Sequence, residues 1–143
     1  MDTLRPGKRL NVLLIDEDPL VLRALERALS LRHDVTAVAN SDDVAPILDT
    51  AQPFDAVLCD FNVWADEGVG LSAALLRRWP NLAARMAIMT GDPSDARVKA
   101  FARDKNVRLI GKPIGVGALL DHVDQLAARA SADSENGGIS IVR

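Results

Sequence analysis

The sequence predicts an open α/β fold: a five-stranded parallel sheet with helices on both faces. Three observations predict it. Short apolar runs alternate five times with segments of helical periodicity, the order that makes a parallel sheet. The runs are apolar on both faces, as strands covered on two sides are. Four of the five stop on a chemically distinctive residue: Asp16, Asp60, Thr90 and Lys112.

Leu10–Ile15 is the first strand, ending on Asp16–Glu17–Asp18. Asp18 before Pro19 reads as an N-cap with proline at the first helical position. Leu20, Leu22, Leu25, Ala28 and Leu29 then recur at helical spacing, with Arg23, Glu26 and Arg27 opposite. Val35–Ala39 is a short second strand, and Ser41 is placed to cap a helix over 42–51, with some distortion expected at Pro46. Phe54–Asn62 holds the third strand, almost unbroken in apolar residues until Asp60. A loop over 62–69 leads to a helix over 71–79, ended by Pro80–Asn81. Met86–Met89 is the fourth strand, closing on Thr90–Gly91–Asp92–Pro93 before a helix over 94–105. Val107–Ile110 is the fifth, ending at Gly111–Lys112–Pro113, and Val116–Ala130 is the last helix. Residues 1–9 read as an N-terminal extension, 10–130 as one domain, and 131–143, small and polar up to Ile139, as a loose tail.

Composition narrows the function. The chain has 143 residues, 48% of them apolar and 26% charged, which suits a single globular domain. A net charge of −3 and an aromatic fraction of 3% argue against nucleic-acid binding, which draws on cationic surfaces and stacking platforms. One cysteine, Cys59, precludes an internal disulfide and fits a reducing compartment. No apolar run approaches the roughly 20 residues of a membrane span. The apolar stretch after the N-terminus is too short for a signal peptide, so the cytoplasm is the expected location and no membrane association is expected.

In a parallel sheet all carboxyl ends share one edge, where ligands bind. Asp16, Glu17, Asp60, Thr90 and Lys112 are therefore expected to converge. Several carboxylates together repel unless a cation sits among them, and hard oxygen ligands suit Mg²⁺. A hydroxyl and an ammonium opposite could hold the oxygens of a phosphoryl group. Asp60 is then a plausible nucleophile, since carboxylates form acyl phosphates.

With these residues in hand, the chain resembles a response-regulator receiver domain of the CheY type. The resemblance covers about Leu10 to Ala130. It rests on the acid pair Asp16–Glu17, on Asp60, on Gly68 eight residues later, on Thr90–Gly91 and on Lys112–Pro113, in order and at the family's spacing. It implies a CheY/flavodoxin-like sheet in the order 2-1-3-4-5 flanked by five helices. It implies Asp60 as phosphoacceptor, Mg²⁺ held by Asp16, Glu17, Asp60 and the backbone carbonyl of Asn62, Thr90 bonding the phosphoryl group, and Lys112 pairing with it. The phosphoryl donor would be a histidine kinase or histidine phosphotransfer protein. With no output domain in the chain, the expected recipient of the signal is a separate downstream protein. A homodimer is left open. On this reading the chain is a phosphoacceptor, not an enzyme beyond its own phosphotransfer and autodephosphorylation.

The chain departs from the family pattern at three points. Glu17 stands where aspartate is frequent. Trp64 replaces the usual proline four after the phosphoacceptor. Leu109 replaces the aromatic residue three before the lysine, which puts the usual threonine–aromatic switch in question. Asn62 and Asp92, two after Asp60 and Thr90, are polar groups able to orient water, so fairly rapid autodephosphorylation is expected. Cys59 reads as packing, and His33 and His122 read as surface residues without metal-ligand spacing. Gly115–Val116–Gly117 lacks the third glycine of a dinucleotide fingerprint. Trp64 and Leu109 favour an alternative, a receiver-like interaction module that works without phosphorylation. A small metal-dependent phosphatase is a third reading, weakened because Asn62 stands where a second carboxylate is needed.

Overall fold

The computed structural model describes residues 8–50, 53–61 and 70–142, with side chains of the last helix described through Ala132. Five strands form one sheet: β1 (Asn11–Ile15), β2 (Asp34–Val38), β3 (Ala56–Asp60), β4 (Met86–Thr90) and β5 (Arg108–Gly111). The order is β2-β1-β3-β4-β5, every pairing is parallel, and the expected topology holds. The register sets Asp60 beside Met89 and Thr90 beside Gly111, so the ends of β3, β4 and β5 are level.

The helices are α1 (Pro19–Ser30), α2 (Val44–Thr50), α3 (Gly70–Arg78), α4 (Ala96–Lys105) and α5 (Val116–Val142). The period-two alternation of side chains divides the core into two layers. Val12, Leu14, Ala56, Leu58, Ala87 and Met89 face α1 and α5. Leu13, Ile15, Val57, Cys59, Met86 and Ile88 face α2, α3 and α4. Strands β3 and β4 are buried at every residue, as their unbroken apolar runs require.

Several local expectations are modified. Asp18 caps α1 as expected, accepting from the N–H groups of Leu20 and Val21. Asn40, not Ser41, caps the next segment, because a 3-10 turn over Ser41–Asp43 precedes α2. Pro46 then falls in the first turn of α2, where its missing N–H costs no intrahelical bond. Pro80 does end α3, but it opens a 3-10 turn over Pro80–Arg85 that leads into β4. Asp95 caps α4, and Asn106 ends it in the left-handed region at φ 58°, a conformation asparagine tolerates.

Two readings need correction. The segment after Ala130, read as a loose tail, continues α5 to Val142. Extending a formed helix costs far less than nucleating one, and no proline interrupts the segment. His33, read as a surface residue, is 1% exposed, and His122 is half-buried. His33, in the turn before β2, lies 3.8 Å from Asp124 of α5, and His122, on α5 itself, lies 3.2 Å from Arg108 of β5. Among the described residues no helix is long and apolar enough to cross a membrane.

Candidate functional site

The carboxyl edge of the sheet gathers most of the residues singled out from the sequence. Asp16 follows β1 and is 1% exposed; Asp60 ends β3 and is 7% exposed. Lys112, one residue past β5, places its Nζ 2.8 Å from Asp60 Oδ1 and 3.0 Å from Asp16 Oδ2. One ammonium thus serves two buried carboxylates contributed 44 residues apart in the chain (60 − 16). The other Asp16 oxygen, Oδ1, accepts the N–H of Asp18 at 3.0 Å, which fixes the carboxylate's orientation.

The charges do not balance. Burial is the main reason the Asp60 carboxyl lies above the ordinary aspartate range. Lys112 opposes that rise, while the negative charges of Asp16 and Glu17 add to it. Burial works against the Lys112 ammonium, but its bonds to Asp60 and Asp16 outweigh that and hold its proton more tightly than usual. Glu17 is exposed at the rim, so it acts on Asp60 through space.

Thr90, 2% exposed, lies at the end of β4. Its Oγ1 accepts the N–H of Asp92 at 3.0 Å, and its carbonyl accepts the N–H of Lys112 at 2.7 Å. The loop after β4 is therefore tied to both Thr90 and the lysine. Pro93 lies over Gly111, so close that a Cβ there would stand 3.0 Å from Pro93 Cγ. Glycine lets this loop rest on the end of β5. Asp92 is exposed, and its Oδ1 accepts the Ser94 hydroxyl at 2.9 Å. The peptide Lys112–Pro113 is cis.

Asn62 and Trp64 lie outside the described residues. Leu109 is half-buried and packs against the core layer of α2, α3 and α4. Cys59 is fully buried one residue before Asp60, and burial pushes its thiol up to about 12, so it serves packing and not nucleophilic attack. The buried Ser72 hydroxyl of α3 lies 3.6 Å from Cys59 Sγ. Sequence reasoning missed Ser72, Ser94 and the fit of Pro93 on Gly111. Only Ser94 left a local trace, as a hydroxyl two residues after an aspartate in a turn.

The parallel sheet in the order 2-1-3-4-5 has counterparts in solved structures. A signal receiver domain of an HD domain-containing protein from Pseudomonas fluorescens Pf-5 is 22% identical, with TM-score 0.74 over 87% of this chain and 99% of that one. A CheY-like response regulator receiver domain protein from Methanospirillum hungatei JF-1 is 17% identical, with TM-score 0.74 over 88% and 99%. A structure described as adenylate cyclase from Rhodopirellula baltica is 19% identical, with TM-score 0.78 over 92% and 97%. At these identities the likeness shows the fold. No curated protein matches the chain. Residues 12–124 match the response regulator receiver domain as a sequence family. That match spans most of the chain, and the protein therefore belongs to the response regulator receiver domain family, a family of signalling domains.

Proposed function

We propose that Asp60 accepts a phosphoryl group from a histidine kinase or a histidine phosphotransfer protein. The observation that carries this reading is the Lys112 ammonium held between the buried carboxylates of Asp60 and Asp16. An Asp60 oxygen attacks the donor's phosphorus as the P–N bond of phosphohistidine breaks. The electron pair leaves with the imidazole, which takes a proton from solvent. Asp60 must be ionised to attack, and Lys112 favours that form against the effect of burial. As charge spreads over the phosphoryl oxygens, Lys112 neutralises part of it. The Thr90 oxygen already accepts the Asp92 N–H, so its own proton is free to donate to a phosphoryl oxygen.

The donor set fits Mg²⁺. Burial raises the Asp60 carboxyl, and the negative charges of Asp16 and Glu17 add to that rise, with one lysine among the three carboxylates to oppose it. Among the described residues no group of three such side chains forms a metal cage. Magnesium does not need one, because it takes one or two protein carboxylates and keeps its waters. Asp16, Glu17 and Asp60 would hold it, with the Asn62 carbonyl implied by family resemblance. When bound, the cation neutralises charge on the phosphoryl oxygens. Phosphorylation would bias two conformations that a separate downstream protein distinguishes. Leu109 has neither the hydroxyl nor the reach of the aromatic residue usual there, so on this reading the change travels through the loop from Thr90 to Asp95.

The test is incubation with Mg²⁺ and acetyl phosphate, read by intact mass. The wild-type chain is expected to gain one phosphoryl group, and Asp60→Asn or metal removal to prevent it. The rate should fall as pH falls, and the fall should begin above the ordinary aspartate range because the Asp60 carboxyl is raised. A wild-type chain that gains no mass from any phosphodonor overturns the proposal.

A further inference from the structure

The amino edge of the sheet holds a second buried titratable group, His33, remote from the phosphorylation chemistry. Its Nδ1 accepts the N–H of Leu10 at 3.3 Å. In the neutral ring the proton is therefore on Nε2. Nε2 is buried with no hydrogen-bond partner among the described residues, and it stands 3.8 Å from Asp124 Oδ1 on α5. Leu10 is buried as well, and its carbonyl accepts the N–H of Asp34 at 2.9 Å. Arg9 completes the clasp, donating through Nη2 to the His33 carbonyl at 2.8 Å and through Nε to Asp34 at 3.0 Å. The entrance to β1 is thus fastened to the turn between α1 and β2, with the imidazole at its centre.

Protonation sets two arrangements against each other. An imidazolium carries hydrogens on both nitrogens, so Nδ1–H and the Leu10 N–H would meet as two donors. The buried Leu10 amide would lose its acceptor. On the opposite side, Nε2–H and Asp124 would gain a charge-assisted bond. The charged groups facing the ring are Arg9 before β1, Arg32 before β2, Asp34 on β2 and Asp124 on α5. Asp124 is shared, since Arg32 Nη1 lies 3.4 Å from its other oxygen. We propose that His33 is a proton-operated latch: neutral, it holds the entrance of β1 to the α1–β2 turn; protonated, it releases Leu10 and turns to Asp124 on α5.

Burial, the largest effect, lowers the imidazole's proton affinity, with Arg32 and Arg9 adding to it and Asp124 and Asp34 opposing. The unfolded chain therefore binds this proton more readily than the folded one. The stability due to the latch is complete above the ordinary histidine value and is lost as pH falls through the lower folded value. The latch operates below the ordinary histidine value.

The test is proton NMR of His33 across pH, paired with amide exchange at Leu10 corrected for the intrinsic pH dependence. In the wild-type chain His33 is expected to titrate below the ordinary histidine value. Leu10 exchange should accelerate roughly fivefold or more over the same range, the equivalent of one net hydrogen bond. Leu13 and Leu58 should not follow. His33→Gln, which can accept from Leu10 but does not titrate, should abolish the pH response. Asp124→Asn should move the His33 titration further down. A ring that stays neutral until global unfolding overturns the proposal, as does Leu10 exchange that is independent of the titration. Both are read on the wild-type chain, so the outcome does not depend on either variant folding.

Discussion

At the carboxyl edge of the sheet, buried charges face one another: Lys112 lies between Asp16 and Asp60. At the amino edge, cations are directed at backbone carbonyls. Arg9 donates to His33 O at 2.8 Å and Arg85 to Phe54 O at 2.9 Å; Arg129 donates to the carbonyls of Asn106 and Ala83. Each of these carbonyls lies just ahead of a strand. The two edges solve different problems. A guanidinium on a carbonyl satisfies a polar group that would otherwise be costly to bury, and the bond is complete as it stands. Two carboxylates on one ammonium leave negative charge uncompensated, so the site is less stable alone than with a cation or another positive group present. Stored electrostatic imbalance marks the edge proposed for chemistry; at the amino edge the carbonyls ahead of the strands are satisfied, while His33 Nε2 and Arg85 Nε are buried without a hydrogen-bond partner among the described residues.

The comparison can be broken most severely at Lys112. Lys112→Ala should lower the rate of phosphoryl acceptance by about 10²–10³, the scale for loss of one oxyanion-stabilising group. It should also destabilise the fold at neutral pH, and that loss should shrink as pH falls and the Asp60 carboxylate, raised above its ordinary range, protonates. Intact mass against time and denaturant unfolding at two pH values check both parts. A rate within twofold of wild type would remove the distinction between the edges.

A change at the opposite edge should do the reverse. Arg85→Ala leaves the Phe54 carbonyl without its donor and should cost about 1–3 kcal/mol in urea unfolding. Phosphoryl acceptance, measured where the variant is folded, should be unchanged. The smallest effect concerns the loop after β4. Asp92→Leu removes an exposed carboxylate able to orient water and should slow loss of the phosphoryl group a few-fold, with no more than about 0.5 kcal/mol change in stability. Decay of the phosphorylated mass after donor removal checks it, and an unchanged decay rate assigns Asp92 to loop geometry alone.

Much of the carboxyl edge was legible because parallel topology converts sequence order into spatial coincidence. Once five runs read as parallel strands, Asp16, Asp60, Thr90 and Lys112 had to reach one edge, whatever the details of packing. The amino edge offered no such rule. Arg32–His33–Asp34 looks like an ordinary polar turn, and its histidine was read as exposed. Its burial depends on α5 passing beneath it with Asp124, 91 residues away (124 − 33). The fit of Pro93 over Gly111 was equally hidden, because each is unremarkable in its own turn.

The sequence by itself determined the five strands, their parallel order once the resemblance was seen, and the residue types at the strand ends. These follow from apolar periodicity and caps, which act over a few residues. Only the tertiary structure decided that one ammonium spans two carboxylates, that Leu109 packs into a core layer, and that His33 lies buried between a backbone amide and a distant acid. Those outcomes depend on distances of a few ångströms between elements far apart in the chain, and burial sets the strength of each charge there.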